Sequence, residues 1–140
     1  MNLFVNTEDR IKFSVYYGVN KDSVILANHI KEDLIKTDGL ITLESDLQEI
    51  KLIFRKGSYK DQLDLASSTI RQTIEAGSAS ISYDPSLVIY LQILQLLVDW
   101  EGVNNEDGTK AAPVQKNIDR LLPQIAAAIA NGLQYHLNKS

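Results

Sequence analysis

The chain has 140 residues, 44% of them hydrophobic, which suits one domain with a core of its own and argues against two. A formal net charge of -4 supplies no electrostatic reason to approach nucleic acid or an anionic membrane, leaving only the small basic cluster Arg55, Lys56 and Lys60. With no cysteine there is no disulfide framework, no thiolate metal site and no thiol nucleophile, a composition that fits an intracellular protein.

The first ten residues, Met-Asn-Leu-Phe-Val-Asn-Thr-Glu-Asp-Arg, lack the basic-then-apolar plan of a signal peptide, so a cytoplasmic product is expected. Over 10–17, Ile11, Phe13, Val15 and Tyr17 alternate with Lys12, Ser14 and Tyr16, the period of a half-buried strand that Gly18 should break. From Asp22, a plausible N-cap, Val24, Ile25, Ile30, Leu34 and Ile35 have roughly helical spacing, which predicts a helix over 22–37 ended by Asp38-Gly39. Two short runs rich in Ile and Leu, 40–44 and 49–54, read as a hairpin, with a short helical turn over 45–48 as an alternative link.

From Ser58 or Tyr59 to about Ala76, Leu63, Ala66, Ile70 and Ile74 recur every three or four residues, predicting an amphipathic helix with that stripe toward the core. Gly77 suits its C-cap, and 78–83 reads as a polar linker, with a brief strand pairing as the alternative. Asp84 and Pro85 then open a stretch, 85–100, whose polar residues are confined to Ser86, Gln92, Gln95 and Asp99. A helix apolar almost all round is buried on several sides, and sixteen residues fall short of the ~20 that span a bilayer. This stretch is expected to be the central core helix of a small soluble domain.

After Trp100, Asp107-Gly108 is a strong tight-turn signal, and a small two-stranded flap is expected there. A last helix over 114–137 carries Ile118, Leu121, Leu122, Ile125, Ile129, Leu133 and His136 near one face, with Pro123 kinking it or splitting it after Leu122. The run Ala126-Ala127-Ala128 offers a smooth surface for close helix packing, and leaves self-association open. The fold class expected is α+β and helix-dominated, with about four helices, a small antiparallel sheet or hairpin and a short C-terminal flap. It forms a single domain over 1–140: a strand-helix-hairpin part, 1–57, and a helical part, 58–140.

Chemistry is sparse. His29 and His136 lack the i+4 partner of a helical metal site. The acidic cluster Asp99, Glu101, Asn104, Asn105, Glu106 and Asp107 fails the spacing of a calcium loop, since Val103, Asn104 and Lys110 fall where a ligand, a glycine and a glutamate are needed. Seven glycines are scattered singly, and no G-x-S-x-G elbow is present. No catalytic, cofactor-binding or metal-binding residue is assigned. Trp100 closes an apolar stretch at the neck of a turn, where it should anchor the flap to the core.

The segment Leu97-Val98-Asp99-Trp100-Glu101-Gly102-Val103-Asn104-Asn105-Glu106-Asp107-Gly108-Thr109-Lys110-Ala111-Ala112-Pro113-Val114, followed by Asn117-Ile118-Asp119-Arg120-Leu121-Leu122-Pro123, resembles the C-terminal portion of tail assembly chaperones of long-tailed bacteriophages. The shared pattern is an apolar helix ending in Trp, a short polar stretch, an acidic residue before Asp-Gly, a small apolar-Pro segment and a final helix opening on Leu-Pro. It covers about the last third of the chain.

The resemblance implies a non-enzymatic role in the cytoplasm of the infected bacterial host: binding the long helical tape measure protein, keeping it soluble and assisting assembly of tail tube subunits around it; from charge and motifs, no cofactor, nucleic acid or membrane is expected. Trp100, Asp107, Gly108, Pro113, Leu122 and Pro123 are the residues singled out, as structural or partner-contact candidates. The alternative is a tail completion, neck or connector component retained in the phage particle.

Overall fold

The computed structural model describes residues 2–19, 25–35, 47–75 and 85–139. Four strands, β1 (Arg10–Val19), β2 (Ile25–Asn28), β3 (Gln48–Arg55) and β4 (Leu97–Glu101), form one antiparallel sheet in the order β2-β1-β3-β4. Strand alternation sorts the sheet into two faces, because residues opposite one another in the ladder point the same way. Ile11 opposes Phe54, Val15 opposes Ile50, and Leu52 lies opposite both Phe13 and Trp100. This face is the core: Val15, Leu52, Phe54 and Trp100 are all buried. The other face carries Lys12, Ser14, Glu49, Lys51 and Glu101.

Among the described residues, three longer helices and two short ones accompany the sheet. Helix α5 (Pro123–Lys139) lies across the apolar face, burying Ile125, Ala128, Ile129, Gly132 and Leu133, the one-sided spacing of a surface helix. At Gly132 the approach is close, since a Cβ there would collide with the Phe13 ring and stand 3.1 Å from the His29 Cβ. Helix α3 (Pro85–Leu96) buries Val88, Ile93 and Leu96 and half-buries most of its other residues. Its two glutamines tie it to its neighbours. Gln95 Nε2 donates to the Asp61 carbonyl at 2.9 Å, and Gln92 Oε1 accepts from Gln134 Nε2 at 2.8 Å.

Helix α2 (Tyr59–Glu75) starts at a reciprocal cap: the Asp61 carboxylate accepts from the Ser58 N–H at 2.8 Å, while the Asp61 N–H donates to Ser58 Oγ at 3.3 Å. Arg55, at the end of β3, grips the same carboxylate with two donors at 2.6 and 3.0 Å. The short helices are α1 (Lys31–Ile35) and α4 (Gln115–Ile118).

The fold class differs from the sequence expectation. Among the described residues there are five helices and a four-stranded antiparallel sheet, a roughly balanced α+β architecture rather than a helix-dominated one with about four helices. Three predicted helices account for the difference, the 114–137 helix being split into α4 and α5. The 85–100 helix stops at Leu96, and Leu97–Glu101 turns into β4, because an apolar run followed by Val98-Asp99-Trp100-Glu101 satisfies either period and pairing with β3 decides. Within the predicted 22–37 helix, Ile25–Asn28 form β2, which folds back on β1 through Tyr17↔Ala27 and Gly18↔Leu26, and only Lys31–Ile35 are helical, as α1.

Gly18 therefore continues β1 instead of ending it. The 49–54 arm of the predicted hairpin lies within β3, which pairs with β1 and β4. Its 40–44 arm, the start of the predicted 22–37 helix at Asp22, Gly77 and the 78–83 linker lie outside the described residues. The predicted stripe on α2 is corrected at Leu63, 51% exposed, and at exposed Ala66, while Leu65 lies beside Leu91 and Leu94 of α3; the side chains of Ile70 and Ile74 lie outside those described.

Candidate functional site

Between α3 and α5 the helical layer opens into an apolar groove of about 620 Å³ that reaches the sheet. Its floor is Leu52 and Trp100, supplied by β3 and β4. Ile89, Ile93 and Leu97 form one wall, and Ala126, Ala127, Ile129 and Ala130 the other. The groove exists because α5 presents small side chains toward α3: the alanine run, expected to close a helix-helix contact, buries Ala128 in the core and leaves Ala127 exposed at the lip. Concave apolar surfaces of this size are the usual setting for binding, with a few polar groups fixing orientation.

Those polar groups cluster where α3 meets α4. The Tyr90 hydroxyl donates to Asp119 Oδ1 at 2.7 Å and accepts from Gln115 Nε2 at 3.2 Å. The hydrogen bond to Asp119, and then burial, holds the Tyr90 phenol above its ordinary range. Lys116 and Arg120, next in sequence to Gln115 and Asp119, are exposed, and Arg120 lines a separate small cavity beside the Asp-Gly turn. The arrangement can accept an apolar surface and hydrogen-bond its edge.

Of the residues singled out from sequence, Trp100 lies in the groove floor, buried in a strand and not at the end of a helix. Its indole Nε1 donates to the Ala111 carbonyl at 2.7 Å, so it ties the following turn to the core. Asp107 and Gly108 build that turn. Gly108 has a φ of +88° and its N–H donates to the Asn105 carbonyl at 3.0 Å, while Asp107 Oδ1 accepts from the Thr109 N–H at 3.0 Å and the Thr109 hydroxyl at 2.6 Å. These bonds hold the Asp107 carboxyl below its usual range.

The flap is reduced to one antiparallel bridge, Asn104↔Lys110, and Lys110 Nζ pairs with Asp99 at 2.8 Å. Asp99 and Asp107 are thus engaged by their own turn. Pro113 leads into α4, whose Asn117 Nδ2 donates to the Ala112 carbonyl at 2.8 Å. Leu122 and Pro123 set the start of α5: the predicted helix is split there, Pro123 is its first residue, and Leu122 is 47% exposed.

Asp107, Gly108, Pro113, Leu122 and Pro123 do not line the groove, whereas Leu121 does. Sequence reasoning missed Tyr90, Asp119 and Ile89. Tyr90 and Asp119 meet across 29 positions of sequence, and neither carries a local signal of the other.

His29 is likewise relocated. It follows β2 in a bend, not a helix, and His136 of α5 stacks on Phe13 with ring centroids 5.0 Å apart. Among the described residues no group of three His, Asp or Glu side chains could hold a metal ion, and no helix is long and apolar enough to cross a membrane. Comparison with protein-family models, curated proteins and solved structures finds no match.

Proposed function

We propose that this chain is a non-enzymatic tail assembly chaperone of a long-tailed bacteriophage, acting in the cytoplasm of the infected host cell. It binds the tape measure protein and assists assembly of the tail tube. The observation that carries the reading is the groove between α3 and α5: apolar from lip to floor, with small alanines on one wall and a hydrogen-bonding corner at Tyr90 and Asp119. An amphipathic helix laid into such a groove buries its apolar stripe while its polar face stays in water. A very long helical client exposes many such stripes, and covering them opposes aggregation. The resemblance of the last third of the chain to tail assembly chaperones supplies the identity of that client.

Co-expression tests the reading. The tape measure protein encoded beside this chain should be recovered in the soluble fraction only when this chain is present, and purified phage particles should lack this chain. An insoluble client under both conditions, or this chain as a stoichiometric part of finished particles, would overturn it.

A further inference from the structure

The turn between Trp100 and Ala111 holds a reactive pair that the groove does not use. Asp107 and Gly108 are both exposed, and a Cβ at Gly108 would meet nothing within 4 Å, so the peptide bond between them is open to water. In an Asp-Gly pair the glycine nitrogen can attack the aspartate Cγ. A C–N bond forms, the nitrogen loses its proton and Cγ its hydroxyl, together one water, and a five-membered succinimide results. Water then opens the ring at either carbonyl, giving back aspartate or giving isoaspartate, in which the main chain runs through the side-chain carboxyl. Nothing is oxidised or reduced, and the mass is unchanged. Glycine favours the step because no side chain crowds the attacking nitrogen.

The fold opposes both halves of this reaction, and they meet at Thr109. The nitrogen attacks only once its proton has gone, and the Gly108 N–H is engaged with the Asn105 carbonyl at 3.0 Å. The carboxyl gives up its hydroxyl only from the neutral acid. Asp107 Oδ1 instead accepts from the Thr109 N–H at 3.0 Å and the Thr109 hydroxyl at 2.6 Å, bonds that favour the anion. The same hydroxyl accepts from Asn105 Nδ2 at 3.1 Å, and the Asn105 N–H donates to the Thr109 carbonyl at 2.7 Å. Thr109 thus pins the carboxyl together with the residue that engages the Gly108 N–H.

We propose that Asp107-Gly108 is a site of isoaspartate formation restrained by the Thr109 hydroxyl. An isoaspartate here adds a methylene to the backbone inside the turn that Trp100 ties down through the Ala111 carbonyl, and it costs the Asn104↔Lys110 bridge. The chemistry needs no client, so its failure leaves the chaperone reading standing.

Parent, Thr109→Val and Thr109→Ser proteins would each be held near neutral pH, well below the melting transition. Isoaspartate at position 107 is read over time by peptide mapping with electron-based fragmentation, which tells apart isomers of equal mass. Thr109→Val protein should isomerise at Asp107 roughly tenfold faster than the parent, the rate equivalent of one lost hydrogen bond to a charged group, and Thr109→Ser protein should stay within about twofold of the parent. Asp38-Gly39, the other Asp-Gly pair in the chain, is an internal clock and should run at one rate in all three proteins. Equal rates at Asp107 in parent and Thr109→Val protein would overturn the proposal, as would Thr109→Ser protein as fast as Thr109→Val. A rise at Asp38-Gly39 in step with that at Asp107 would trace the effect to the whole fold and overturn it too.

Discussion

Trp100 and Ala111 are joined by a 2.7 Å hydrogen bond from the indole Nε1 to the backbone carbonyl, in surroundings closed to water, with Trp100 1% and Ala111 4% exposed. The bond spans the whole Asp-Gly turn, so the sheet and the turn are one mechanical unit. Trp100→Phe keeps an aromatic ring but strands a buried carbonyl and leaves a void under the groove. The expected loss is about 2 to 4 kcal/mol in urea unfolding. A loss below ~0.5 kcal/mol would show that the turn is not tied to the core through this residue.

Gly102 and Gly108, both in left-handed backbone, predict different costs. Gly102 has a φ of +100°, and a Cβ there would stand 2.5 Å from the Glu49 carbonyl oxygen. Gly108 has a φ of +88° with nothing within 4 Å. Gly102→Ala therefore meets both conformational strain and a backbone clash, and should destabilise by more than ~2 kcal/mol. Gly108→Val meets strain alone, about 1 kcal/mol or more, and Gly108→Asn should be milder still. Thermal melts of the three variants give the order directly.

How much of this was legible in the sequence depended on whether a local pattern had one reading or two. The alternation of Ile11, Phe13, Val15 and Tyr17 admits only a strand, and β1 is found there. Pro123 fixes the start of α5 because it has no N–H to give to an interior turn. The stretch from Leu94 to Trp100 is apolar under both periods, and only β3, far away in sequence, selects a strand beyond Leu96. Similarly, Ile25-Leu26-Ala27 become a strand because β1 lies beside them. The groove was not legible, since it is made by the spacing between α3 and α5. The alanine run signalled a small-residue surface without saying whether a neighbour fills it.

Asp61 couples the cap of α2 to β3. The hydrogen bonds from Arg55, and then that from the Ser58 N–H, hold its carboxyl well below the usual carboxylate range. A carboxyl depressed in the folded state contributes stability that is complete above its unfolded pKa of ~3.9 and is lost as pH falls through the folded value. Asp61→Ala should cost about 1 to 3 kcal/mol at pH 7. The gap between variant and parent should narrow progressively as pH is lowered below ~3.9. A gap independent of pH would separate the effect from the carboxylate.

His136 gives a dependence nearer neutrality. Burial, then the charge of Lys139 and that of nearby His29, hold its imidazole below the ordinary value, and its ring stacks on Phe13 of β1 and meets Tyr135 edge-on. A histidine depressed in the folded state resists protonation. Its contribution is therefore present above the unfolded pKa of ~6.5 and is lost as pH falls through the folded value. The melting temperature should decline as pH is lowered below ~6.5, and His136→Phe should flatten that decline. An unchanged slope in His136→Phe would remove His136 from the account.

The central proposal is that the α3–α5 groove holds the client helix, and the most direct measurement is affinity capture from cells expressing the surrounding gene cluster. Tagged parent protein and an Ala127→Glu variant would be compared, with partners identified by mass spectrometry. Ala127 is exposed at the groove lip, so the glutamate should spare the fold while placing a charge where an apolar stripe would dock. The account predicts that the parent retains the tape measure protein and that Ala127→Glu protein, with an unchanged melt, loses at least tenfold of it. Equal retention by both would move the client off this groove. Capture of portal, connector or tail tube proteins alone, with the chain present in finished particles, would contradict the chaperone reading itself.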